Sequence, residues 1–250
     1  MFVLWRECFF YFAVKNNAKI IFCAWKFDLY CNAEHPSLSG NSFLGSALKH
    51  DAHFKFILVR FVVREFVLFS RLGRTDSAFS NLHDAGRLDI AYECIVGSFF
   101  LSHGLRRDVT FHACLNGPPK PPVHIQIDGE TLYDVRTDVD TWQGIIRKVL
   151  AGKAHPGISK DKTSFEALLK AKAANHPIYV LEEGGKNIAE VELADNAVYV
   201  LGDHVGLPKK AETYALRYGE KISLGKQPYL AASCITIINY LLDRKAKSDS

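Results

Sequence analysis

The stretch from Pro177 to the C-terminus constrains this chain most. It contains PIYVLEEGG, AVYVLGDHVGL and KISLGKQPYLAASCITIINYLLDR. Three short apolar runs, Ile178 to Leu181, Ala197 to Leu201 and Ile222 to Leu224, each end in a turn rich in Gly, Asp, Glu or Lys. Short apolar runs closed by turn residues suit buried strands. In open α/β folds ligands sit at the carboxyl ends of such strands, where loops expose backbone groups. The pattern is compatible with a small-molecule site and names no ligand.

Upstream, the pattern sharpens at Val63. VREFVLFS alternates charged and apolar residues and predicts a strand, and RLGRTDSAFSNLHDAG predicts a loop. In Arg87 to His103, Leu88, Ala91, Ile95 and Phe99 recur at helical spacing, with Gly104 placed as a C-cap. VTFHACLNG and VHIQIDGE have strand character, and GPPKPP between them fixes a rigid, extended connection. Thr141 to Leu150 and Ser164 to Ala173 are helical in pattern, with AGKAHPGISKDK a loop between them. Ala231 to Arg244 is a strongly apolar helix, and the tail from residue 246 to 250 reads as frayed. The alternation predicts an α/β domain over residues 63–245.

Composition narrows the class. Of 250 residues 48% are apolar, and the net charge of +4 permits a polyanionic partner without demanding one. Six cysteines without a CxxC pair, in a chain with no secretory signal, predict a reduced, cytoplasmic protein. No apolar run reaches the ~18 residues of a membrane span, so no membrane insertion is expected. Residues 1–62 have a different texture: Phe, Tyr and Trp crowd MFVLWRECFFYFAV and IIFCAWKFDLY. They are either a real extension or a stretch upstream of a true start at Val63, Met1 being the only methionine. Cys23, Cys31, His35, His50 and His53 fit no closed four-ligand spacing, so no metal is expected.

VREFVLFS, GRLDIAYECIVGSFFLSHGLRRDV, LNGPPKPPVHIQIDGE and LGDHVGL together resemble the archaeal-type tRNA pseudouridine-54 N1-methyltransferases, within the SPOUT class of RNA methyltransferases. The resemblance spans roughly Val63 to Arg244 and omits the first sixty or so residues. It implies a SPOUT-type α/β knot with a C-terminal deep trefoil knot, S-adenosylmethionine as cofactor, tRNA as partner and a homodimer. It also implies which residues line the cofactor loops: Leu181, Gly202, Gly206, Ser223, Leu224, Gly225 and Cys234. Glycine belongs where a side chain would collide with a ligand or force an unfavourable φ. Cys234 sits in apolar AASCITII, which disfavours a thiolate, so it reads as a packing residue whose backbone lines the pocket.

Methylation at N1 of pseudouridine removes an imide proton, which a modest base or a hydrogen bond to the developing enolate-like oxygen would assist. Candidates are Asp89 and Arg87 in GRLD and Asp203 in GDH, with His204 favoured only to order its turn. Arg71, Arg74, Arg106 and Arg107 are candidates for RNA phosphate. Two alternatives stand: methylation of ribosomal RNA pseudouridine, and a non-catalytic RNA-binding knot protein. A dehydrogenase-like binder is excluded because no G-x-G-x-x-G follows a predicted strand.

Overall fold

The structure, a computed structural model, describes residues 9–15, 18–24 and 63–248, with side chains described over 63–245. The chain divides into two compact units, Met1–Phe61 and Val62–Ser250. In the first, strands β1 (Phe9–Lys15) and β2 (Ala18–Ala24) pair antiparallel. Cys23 is a backbone position in β2; Cys31, His35, His50 and His53 lie outside the described residues.

The second unit is built on a seven-stranded sheet. Its central strand, β3 (Arg64–Ser70), is buried along its whole length, which explains why REFVLFS carries apolar residues on both faces. Phe66 and Leu68 point into one core and Val67 and Phe69 into the other. β6 (Val109–Leu115) lies parallel on one side of β3, and β10 (Val198–Gly202) lies parallel on the other. β9 (Ile178–Asn187) and then β11 (Gly219–Ser223) extend the parallel run beyond β10. β7 (Val123–Asp128) and β8 (Ile158–Asp161) add two antiparallel strands beyond β6.

Helices cover both faces, as a buried parallel sheet requires. α1 (Leu88–Phe99), α2 (Val139–Leu150) and α5 (Ala231–Ser248) supply the first core, where Trp142 is completely buried and its indole N–H donates to the Arg136 carbonyl at 2.8 Å. α3 (Phe165–Lys172) and α4 (Lys209–Ala215) cover the second face. Ser164 and Asp138 cap α3 and α2 by accepting from backbone amides three residues on. α1 and α5 approach closely at Gly97, where a Cβ would stand 3.1 Å from the Ala232 carbonyl oxygen.

Three boundaries differ from the sequence reading. α1 stops at Phe99, because Phe100 turns extended and, with Leu101, forms β4, paired antiparallel with β5 (Gly104–Leu105). Gly104 is therefore a hairpin residue and not a helix cap. Within AGKAHPGISKDK, residues 158–161 form β8: Gly157, at φ +73°, turns the chain against Leu132 so that Ile158 pairs with Ile127. That strand is largely exposed, so it carries no apolar signature. α5 continues to Ser248, past Arg244. Among the described residues no helix is long and apolar enough to cross a membrane, and no group of His, Cys, Asp or Glu has metal-site geometry.

Candidate functional site

Because β11, β9, β10, β3 and β6 run parallel, the turns that follow them gather at one edge of the sheet. From β3 the chain moves to β6 on one side, whereas β10, β9 and β11 lie on the other. The reversal of winding falls between β3 and β10, the place where open α/β sheets form a crevice for ligands.

Each turn has a local cause. Opposite β11, β9 breaks register: Lys221 faces Val180, but the next residue, Ile222, faces Lys186. Leu181 to Gly185 thus leave the ladder with β11. Gly185 lets the strand close up again, since a Cβ there would lie 2.4 Å from the Ile222 carbonyl carbon. After β10, Gly202 allows the tightest approach in the second turn: a Cβ would be 2.3 Å from both the Gly206 carbonyl carbon and the Leu207 nitrogen. Gly206, at φ +78°, donates its N–H to the Asp203 carbonyl at 2.9 Å and closes that turn. After β11, the Ser223 hydroxyl donates to the Gly225 carbonyl at 2.9 Å and accepts from the Gly225 N–H at 3.2 Å, with Gly225 at φ +135°. Leu224, Leu181 and Cys234 each pack against the first core.

Asp203 ties two of these turns together. Its carboxylate accepts from the Arg71 N–H at 2.8 Å, across the crevice, and from the Val205 N–H at 3.0 Å within its own turn. With a side chain only 3% exposed, it is spent on backbone. His204 lies 3.8 Å from Asp203 and is half-exposed.

Glu182, in the β9 excursion, was not foreseen by the sequence reading. Burial pushes its carboxyl up, against the pull of the Leu207 amide, while Glu212 adds to the rise. The signal available was its place in LEEGG, one residue beyond Leu181.

Arg87 and Asp89 meet at the start of α1. Arg87 takes the left-handed conformation, φ 65° and ψ 41°, and its Nε donates to both Asp89 carboxylate oxygens at 3.0 and 3.2 Å. That hydrogen bond raises the guanidinium pKa, and Asp203 is near enough to act in the same direction. Arg87, Asp89 and the Asp203 turn are thus brought to one neighbourhood. Cys234 opens α5 as a neutral thiol, pushed up to about 11 by burial.

The arginines are used differently from the sequence expectation. Arg74 pairs with Asp76 through two bonds of 2.9 Å. Arg106, with a side chain 14% exposed, grips Asp243 of α5 at 2.9 and 2.6 Å, and Arg64 shares that carboxylate. Arg107 donates to the carbonyls of Gly129 and Leu132. Arg71, in contrast, has a buried Nε without a partner among the described residues.

Comparison with known proteins adds the remaining information. Residues 63–247 match the family model for SAM-dependent RNA methyltransferases. A tRNA (pseudouridine(54)-N(1))-methyltransferase of Methanocella arvoryzae is 37% identical over 196 residues, covering 73% of this chain and 100% of that protein. The enzyme of the same name from Pyrococcus abyssi is 33% identical over 201 residues, covering 73% of this chain and 98% of that protein. Among solved structures, Archaeoglobus fulgidus Nep1 bound to S-adenosylhomocysteine superposes with a TM-score of 0.54 at 13% identity, over 73% of this chain and 97% of that one. At that identity the likeness is one of fold.

Proposed function

The chain belongs to the SAM-dependent RNA methyltransferase family that includes the tRNA (pseudouridine(54)-N(1))-methyltransferases, and we propose that it methylates N1 of pseudouridine 54 in the TΨC loop of tRNA. The observation that carries this reading is the crevice at the β3/β10 reversal, ringed by three turns in which Gly185 and Gly202 leave no room for a Cβ and Gly206 and Gly225 take positive φ.

The crevice suits an adenosyl cofactor. At Gly202 any Cβ would strike backbone of its own turn, and the Leu181–Gly185 excursion lies outside the ladder with β11. Leu181, Gly202, Gly206, Ser223, Leu224, Gly225 and the start of α5 at Cys234 would hold the cofactor. Bound S-adenosylmethionine supplies an electrophilic methyl group on a sulfonium. The protein's share is positional: the Asp203 cross-link fixes the second turn against the β3 end, and fixed geometry supplies much of the rate in such transfers. In this reading Arg87, held by Asp89, hydrogen-bonds the oxygen that gains charge as N1 loses its proton, and Asp89 receives that proton; their mutual hydrogen bonds support the pairing. Cys234 forms no adduct, because a thiol with a pKa of about 11 is neutral at pH 7.

Three further features belong to this reading. The C-terminal segment forms the deep trefoil knot of the class, a reading supported by β11 returning beyond β9 to the sheet edge before α5 crosses back beside α1. The enzyme is a homodimer, supported by exposed Tyr229 and Leu230 before α5 and Tyr240 on it. It works in the cytoplasm, consistent with free Cys94, Cys114 and Cys234.

The test is methyl transfer by the full chain from labelled S-adenosylmethionine to tRNA transcripts carrying pseudouridine or uridine at position 54. Label only with pseudouridine is the expected result. Label on neither, with intact cofactor binding, would sink the assignment.

A further inference from the structure

The groove beside α4 is lined by Lys209, Lys210, Tyr214 and Arg217, with Glu166 of α3 its one acid. Both lysines and Arg217 are exposed, and no described residue forms an ion pair with any of the three. The next nearest carboxylate in sequence, Glu212, is bound to Lys221. The Arg217 guanidinium lies 5.4 Å from the Tyr214 ring centre, and the Tyr214 and Tyr218 hydroxyls stand 3.4 Å apart. Lys209 and Lys210 occupy the first turn of α4, where the helix dipole opposes positive charge, so their placement costs stability without gaining a partner inside the fold. α4 begins directly after the Gly202–Leu207 turn, which sets Lys209 and Lys210 on the same edge as the crevice, and Arg217 continues the groove beyond the far end of α4. The arginines expected to meet phosphate are meanwhile largely consumed by Asp76, Asp243 and backbone carbonyls.

We propose that this groove is the track for the RNA backbone next to the target nucleotide, with Lys209, Lys210 and Arg217 on successive phosphates. The proposal rests on the reading that the substrate is RNA. Lysine serves as a point charge and arginine as a fork, and a tyrosine face beside them accepts an unpaired base.

The experiment measures tRNA affinity of the full chain against salt for the wild type, K209A/K210A, K209R/K210R and the control pair K148A/K153A. Each phosphate contact contributes about 0.7–0.9 to the slope of log Kobs against log salt. The K209A/K210A slope falls by roughly 1.5 on that basis, with affinity at low salt down about tenfold. The arginine pair restores the slope, the control pair leaves it unchanged, S-adenosylmethionine binding stays at its wild-type value throughout, and K209A/K210A melts no lower than the wild type. A wild-type slope in K209A/K210A, or an equal fall in the control pair, overturns the groove while leaving the methyltransferase reading intact. A wild type with no affinity for tRNA overturns both.

Discussion

Replacing Asp203 separates a catalytic from an architectural carboxylate. Its two bonds, to the Arg71 and Val205 amides at 2.8 and 3.0 Å, are charge-assisted, and the side chain is 3% exposed. In Asp203→Ala the Val205 amide gains water readily, since Val205 is 57% exposed, whereas the part-buried Arg71 amide loses its acceptor. Hydrogen bonds to charged groups contribute about 1.5–3 kcal/mol, and an orphaned buried donor costs ~1–3 kcal/mol. A loss of ~2–4 kcal/mol follows, which for a domain of this size lowers Tm by roughly 4–15 °C. Asp203→Asn keeps one acceptor but turns an NH2 toward the other amide, so it should fall between the wild type and the alanine variant. Melting curves and calorimetric titration with S-adenosylmethionine check this, the expectation being weaker cofactor binding in step with lower Tm. If Asp203→Ala melts with the wild type and binds cofactor normally but loses turnover, the cross-link argument is wrong and Asp203 takes part in the chemistry.

Other perturbations follow from the same geometry. Gly202→Ala drives a Cβ to 2.3 Å from backbone and should abolish cofactor binding, whereas Gly206→Ala meets open space and costs only the ~1 kcal/mol of its positive φ; titration of both with S-adenosylmethionine gives the comparison. Cys234→Ala should retain most of the wild-type kcat, and iodoacetamide at pH 7 should inactivate the wild type no faster than this variant. Although burial alone would raise it, the Glu65 carboxyl is held at about 2 instead of 4.5 by the His112 hydrogen bond and the Lys172 charge. A depressed carboxylate stabilises the fold above its unfolded pKa and loses that contribution as pH falls, so on the order of 3 kcal/mol should disappear between pH 4.5 and about 2. Burial depresses His112 as well, which adds loss below its unfolded 6.5; Tm against pH should be flatter in Glu65→Gln over the acid range.

The fold was legible where burial and periodicity coincide. Buried strands such as Val198–Gly202 announce themselves as apolar runs, and the turn glycines mark where those strands end at the crevice. Exposed β8 and the Phe100–Leu105 hairpin have no such period, so the sequence reading passed over one and absorbed half of the other into a helix. A polar ladder across the sheet was hidden for another reason: Glu65, His112, His124 and Asp161 come from four strands separated by 12 to 47 residues, and only the register aligns them into a chain of bonds near 3 Å. The arginines show the same limit at the site. Sequence places Arg106 just past a helix, where a phosphate-binding role and an internal ion pair are equally open; Asp243, 137 residues on, decides between them. A cation's role is thus set by whether the fold brings a carboxylate to it, which local sequence does not reveal. By that criterion Lys209, Lys210 and Arg217, on and just beyond a short helix that carries no family-like motif, are cations without an ion-pair partner among the described residues, whereas Arg74 and Arg106 each have one.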